Sequence, residues 1–149
     1  YGSEFMIEPY LDGDEITVAV FPADSEHKKP YCLPPVSRLI IKTELHRTAE
    51  KSQFPKTAKR LKTLEEYTDI MNNCEKAYET LGLKAPIRID CRKNKDGKYL
   101  MFDVNMKPNM TMATRMHRQN QDSLMMLAAE KAGYSRIGLI ELFLNTAWK

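Results

Sequence analysis

From Ile87 to Thr114 the chain reads IRIDCRKNKDGKYLMFDVNMKPNMTMAT, with two runs of alternating apolar and polar residues flanking Asp96-Gly97. A period of two marks a strand with one buried face. Asp-Gly favours a two-residue type I′ turn, because both central positions need positive φ. The segment is therefore expected to form a β-hairpin. With Asp96 and Gly97 as the loop, Lys95 pairs with Lys98. Counting outward then sets Cys91 opposite Phe102, Asp90 opposite Asp103, Ile89 opposite Val104 and Arg88 opposite Asn105. Ile87, Ile89, Cys91, Phe102, Val104 and Met106 share an apolar face, and Arg88, Asp90, Asp103 and Asn105 share the other.

The same patterning predicts the remaining elements. Within Met6 to Phe21 it predicts a short strand, a turn at Asp12-Gly13, and a second strand in which Ile16, Val18 and Val20 alternate with Thr17, Ala19 and Phe21, largely buried on both faces. Pro22 to Leu61 is rich in turn formers, and within it only Val36 to Ile41 predicts a strand. Thr63 to Leu81 predicts a helix. Thr63 and Glu66 form a capping box, Gly82 lies past the end, and Leu64, Tyr67, Ile70, Met71, Cys74, Ala77, Tyr78 and Leu81 recur at spacings of three and four. Such a stripe is core that packs on the sheet. Further helices are expected from about Gln119 to Ala132, ending at Gly133, and from Arg136 to Ala147 after Ser135. This order predicts an α+β fold, an antiparallel sheet packed against helices.

Composition narrows the class. With 149 residues, 42% hydrophobic, 29% charged and one Trp, the chain reads as one ordinary globular domain or a large part of a bigger enzyme. It has neither a membrane-length apolar run nor a signal-peptide pattern, so a cytoplasmic, non-membrane protein is expected. Cys32, Cys74 and Cys91 lack metal-ligand spacing and are expected to be free thiols. Residues 1–5, YGSEF, read as a cloning remnant, which leaves 6–149 as the domain. Between Lys42 and Lys62 lie seven Lys or Arg against two Glu, so the remainder of a chain of net charge +3 is slightly acidic. Phe54 is the sole aromatic in that basic stretch, and no nucleic-acid motif accompanies it. A solvated or substrate-covering loop is favoured over nucleic-acid binding.

The polar face of the hairpin carries candidate chemistry. Two carboxylates held about 5 Å apart repel by about 3 kcal/mol at an effective dielectric near 20. A divalent cation between them removes that cost, and a donor set of two Asp and one Asn suits a hard ion such as magnesium. The alternative is a solvated face on which Arg88 and neighbouring Lys side chains screen the pair.

The run RIDCRKNKDGKYLMFDVNMKPNMT resembles the metal-binding hairpin of the ATP-grasp ligases, the D-alanine:D-alanine ligase branch above all. There an R-x-D strand, a D-G turn and an [ED]-x-N-x-x-P-G-M-T run recur in this order. Glu8 to Val20, EPYLDGDEITVAV, is similar to that family's segment for the adenine hinge and a ribose contact. The resemblance covers nearly all of residues 6–147 and implies the carboxy-terminal ATP-grasp lobe, with ATP and Mg2+ as cofactors. It implies Glu8, Tyr10 and Leu11 at the adenine hinge and Glu15 facing the ribose hydroxyls. Asp90, Asp103 and Asn105 would hold magnesium, and Arg88 would stabilise the transferring phosphoryl group. Asn109 and Met110 fall in the turn whose N–H groups face the oxyanion, and Thr114 falls where the family holds the second amino acid's carboxylate. Arg115, His117 and Arg118 are expected to be exposed, and no lysine of the basic loop is assigned to the phosphates.

Two departures stand out: Asp103 for the usual Glu, and Asn109 for the usual Gly. The implied reaction activates a carboxylate with ATP to an acyl phosphate, which an amine attacks to give an amide or peptide bond. Its partners would be small-molecule carboxylate and amine substrates and the amino-terminal and central lobes, with a homodimer left open. A fold relative without catalysis, acting as a binding or scaffold module, is the competing expectation.

Overall fold

In the computed structural model the described residues are 5–38, 64–110, 112 and 122–147. The basic stretch, Thr63, Thr111, Thr114 and residues 115–121 therefore lie outside them, as do residues 39–41 and residues 1–4.

Strand β1 (Glu15–Phe21) is buried along its whole length, as expected for a strand covered on both faces. Upstream of it, residues 5–14 form no strand, so the short strand anticipated there is absent. The hairpin strands are β4 (Ile87–Lys93) and β5 (Tyr99–Asn105), and β4 pairs antiparallel with β1. The other edge of β1 is shared by two short strands, β2 (Tyr31–Cys32) and β3 (Val36–Arg38). Leu33 N–H still reaches the Ala19 carbonyl at 2.9 Å. Pro34 and Pro35 then offer no N–H, which splits one edge strand into two.

Helices cover both faces. A 3-10 turn (Leu64–Tyr67) leads into α1 (Thr68–Thr80), whose N-cap Tyr67 makes no side-chain cap bond. Ile70, Cys74 and Tyr78, four residues apart, pack on Ile16, Val18, Val20, Ile87, Ile89 and Cys91. Leu64 and Leu81, assigned to that stripe from spacing, are instead exposed. On the opposite face α2 (Leu124–Lys131) and α3 (Arg136–Ala147) bury Met125, Met126, Ala128, Ala129 and Leu139 against Ala19, Phe21, Leu33 and Val36. Ser123 caps α2 by accepting the Met126 N–H at 3.2 Å, so the helix starts after the anticipated point. The α3 bounds match expectation, with the Ser135 hydroxyl accepting Gly138 N–H at 3.0 Å.

The hairpin departs from the simple count in two compensating ways. Its loop has three residues, Lys95–Gly97, flanked by Asn94 and Lys98: Asn94 N–H donates to the Lys98 carbonyl, and the Asn94 side chain accepts Lys98 N–H. Only Gly97 has positive φ there, +79°, so Asp96 is not in a type I′ turn. Cys91 then pairs with Met101, not Phe102. A bulge after Asp90 absorbs one extra residue on β5 and restores the expected pairs Asp90–Asp103, Ile89–Val104 and Arg88–Asn105. Phe102 consequently leaves the apolar face. Its ring lies under the Arg92 guanidinium, 5.2 Å away, on the polar side. Val104 and Met106 are exposed rather than packed in the core.

The segment before β1 is strapped to the end of β4. Gly13 N–H donates to the Lys93 carbonyl at 3.2 Å, and Lys93 N–H donates to the Asp14 carbonyl at 3.0 Å. A Cβ on Gly13 would sit 2.6 Å from both Lys93 Cβ and Lys93 O. Gly13→Ala is therefore expected to destabilise by about 1–3 kcal/mol through forced backbone displacement, read as a lower denaturant midpoint.

In the β1–β2 connection, burial alone would raise the Asp24 carboxyl. The N–H groups of His27 and Glu26, the Tyr31 hydroxyl and the His27 ring together outweigh it and hold Asp24 at about 2, below the ordinary 3.8. His27 stacks on Tyr31 with centroids 3.7 Å apart. A depressed carboxyl stabilises the fold above its unfolded value and loses that contribution as pH falls through about 2. Asp24→Asn is expected to lower the melting temperature at neutral pH, and wild-type and variant curves should converge near pH 2.

Candidate nucleotide and metal site

Strand alternation puts Glu15 and Thr17 of β1, Arg88, Asp90 and Arg92 of β4, and Asp103 and Asn105 of β5 on one sheet face. This is the face that α2 and α3 cover around Ala19 and Phe21. The polar row continues toward the Glu15 end.

Asp90 is at the centre and only 3% exposed. Arg88 grips it bidentately, Nε to Oδ1 and Nη2 to Oδ2, each at 3.1 Å. Thr17, directly across on β1, donates its hydroxyl to Oδ1 at 2.8 Å. These contacts answer the repulsion between facing aspartates within the protein itself, so the hairpin does not need a cation in order to form. Asp103, opposite Asp90, is exposed. Asn105, opposite Arg88, is half-buried, and its Oδ1 accepts Lys107 N–H at 3.0 Å.

A second ionic cluster occupies the end of the row. Arg92 pairs with the buried Glu15 carboxylate through Nη2 and donates through Nη1 to the Leu11 carbonyl at 3.1 Å. Of the residues expected at the adenine hinge, Leu11 thus joins the site, whereas Glu8 and Tyr10 are exposed on the segment leading in. Asn109 and Met110 are exposed beyond β5, and Thr114 lies outside the described residues. Thr17 and Arg92 are missing from the sequence-based candidates, although each follows the same alternation as Glu15, Arg88 and Asp90.

Among the described residues no three His, Cys, Asp or Glu side chains gather as a metal cluster. Any ion here would draw on the Asp90 and Asp103 carboxylates with the Asn105 amide. That all-oxygen set fits magnesium, which keeps several waters and shares phosphate oxygens. The thiols offer nothing comparable. Cys74 and Cys91 are buried with sulfurs 4.0 Å apart; the contact with Cys74 and then burial push the Cys91 thiol far up, and burial does the same to Cys32.

The model of the D-ala D-ala ligase C-terminus family matches residues 1–136. The chain belongs to that family. It is 26% identical over 143 residues to the D-alanine–D-alanine ligase of Actinobacillus succinogenes, an alignment covering 94% of this chain and 41% of that protein. The chain thus spans about two-fifths of that relative's length. The crystal structure of D-alanine–D-alanine ligase from Bacillus anthracis superposes with a TM-score of 0.63 at 22% identity, over 93% of this chain and 41% of that one. The Coxiella burnetii ligase gives 0.61 at 16% identity, over 93% and 32%. These matches make the fold the carboxy-terminal lobe of an ATP-grasp ligase, an α+β arrangement of antiparallel sheet and helices. Among the described residues no helix is long and apolar enough to cross a membrane.

Proposed function

We propose that this chain is the carboxy-terminal, nucleotide- and magnesium-binding lobe of an ATP-dependent carboxylate–amine ligase. The observation that carries the reading is the joining of Arg88, Asp90, Asp103 and Asn105 on one sheet face in a chain of this family. Asp103 and Asn105, with Asp90 behind them, would hold magnesium, which supplies charge neutralisation to the phosphate oxygens of bound ATP. Arg88, fixed by Asp90, would present its remaining donors to the transferring phosphoryl group. Asp90, itself held by the Thr17 hydroxyl, prevents that guanidinium from swinging away. Glu15 would accept hydrogen bonds from the ribose hydroxyls, and Leu11 would line the base. A substrate carboxylate oxygen attacks the terminal phosphorus and ADP leaves; an amine then attacks the acyl carbon, loses a proton and expels phosphate.

Asn109 and Met110 lie where the acyl oxygen would meet backbone donors, and Thr114 where the second substrate's carboxylate would rest. The Asn side chain in place of Gly narrows that space. The amino-terminal and central lobes would close over the polar face from the other side, and the whole protein would work in the cytoplasm. D-alanine is the first substrate to test, since the relatives are named for it.

The test incubates full-length protein with ATP, magnesium, hydroxylamine and a panel of D- and L-amino acids. Hydroxamate formation matched by ADP release is expected for at least one acid. Unchanged ATP throughout the panel, together with no nucleotide binding, would favour a scaffold module instead.

A further inference from the structure

Arg92 ties together three separate segments on this face. One Nη donates to the Leu11 carbonyl before β1, the other to the Glu15 carboxylate in β1, and the guanidinium plane covers the Phe102 ring in β5. Glu15 is 4% exposed in its side chain and Arg92 is 21% exposed. The β5 bulge is part of the same arrangement, because unbroken alternation would have turned Phe102 to the other face. The Arg92 Nε–H is buried with no hydrogen-bond partner among the described residues. An orphaned buried donor is a cost, so the fold accepts it in exchange for where the other two donors are aimed. Lysine would substitute only in part, because its ammonium is a compact point charge without the rigid planar fork that reaches the carbonyl and the carboxylate from separate nitrogens while lying over the ring.

We propose that Arg92 is a positioning residue for nucleotide recognition: anchored on the Leu11 carbonyl, it fixes the Glu15 carboxylate in the geometry that reads the ribose. The inference rests on the nucleotide reading given above and adds a residue to it. Because Glu15 is the group aimed at the ribose, loss of Arg92 should fall on the ribose contact rather than on nucleotide binding in general. A brace that merely holds the sheet together would weaken every nucleotide alike.

Calorimetric titration of the full-length protein with Mg–ADP and with Mg–2′-deoxy-ADP separates the two. The wild type is expected to prefer ADP by about tenfold, the scale of one hydrogen bond to a charged group. Arg92→Met should weaken ADP about tenfold and 2′-deoxy-ADP less than about threefold, so that the preference nearly vanishes. Glu15→Gln should give the same pattern, and the double variant should lose no further preference. Arg92→Lys, which keeps the charge beside Glu15, should retain part of the preference and carries the test if Arg92→Met fails to fold. Equal weakening of both nucleotides, or a full preference in either variant, overturns the proposal. Failure of the wild type to bind either nucleotide overturns the nucleotide reading itself, a distinguishable outcome.

Discussion

Arg88→Ala is expected to destabilise the 149-residue chain by about 3 kcal/mol, the lower end of the range for removing one partner of a buried ion pair. Asp90 is 3% exposed and relies on Arg88 for contacts to both of its oxygens. Without the guanidinium, the Thr17 hydroxyl remains as a neutral donor to one of them. The carboxylate is too deeply buried to be solvated in place of the lost guanidinium, and Arg92, the next arginine along β4, is committed to Glu15 and Leu11. A Leu at both 88 and 90 should recover much of the loss, since the buried carboxylate is then gone as well. Denaturant unfolding of the two single variants and the double variant measures the coupling, and additive losses would place the stability elsewhere.

Asp103→Ala and Asn105→Ala should behave in the opposite way. Asp103 is exposed, and among the described residues Asn105 uses its side chain for a local bond to Lys107 N–H, so neither truncation should lower stability by more than about 1 kcal/mol. In the full-length protein each should nevertheless reduce ATP turnover by about two to three orders of magnitude, because each removes an oxygen donor from the ion that neutralises the phosphates. Near-normal turnover in either variant would count against the metal assignment. The contrast matters more than either number: one pair of the face serves mainly the fold, and the other serves the ligand.

Much of this division was legible in the chain. The alternation around Asp90 and Asp103 sets the correct outer register, and so the correct polar face, although the loop has three residues rather than the two that Asp96-Gly97 predicts. The reason is physical. Asn94 closes a three-residue loop with its side chain, and the β5 bulge takes up the extra residue, so two local departures cancel beyond Asp90. Between them the same departures turn Phe102 away from the face that period-two counting predicts, since such counting does not register a bulge. Arg88 is named in the alternative reading as a group that screens the aspartates, and it does donate to both Asp90 oxygens, but Asp90 is buried, so that part of the face is not the solvated one the alternative describes. The Thr17 hydroxyl and the Arg92 cluster were not found, because both depend on which strand lies beside β4. The pairing of β1 with β4 crosses some seventy residues of sequence, including the whole of α1. The α1 stripe is narrower than its spacing predicts for a related reason. Periodicity marks every apolar residue on one side, but the sheet beneath is broad enough to cover only Ile70, Cys74 and Tyr78 fully.

The most direct measurement is a calorimetric titration of ADP into the full-length protein, with magnesium and with magnesium chelated. Binding that strengthens at least tenfold with magnesium in the wild type, and loses that dependence in Asp103→Ala, is the expected result. Binding of equal strength with and without the metal would contradict the hairpin's role as a magnesium and phosphate platform, and so would no binding at all.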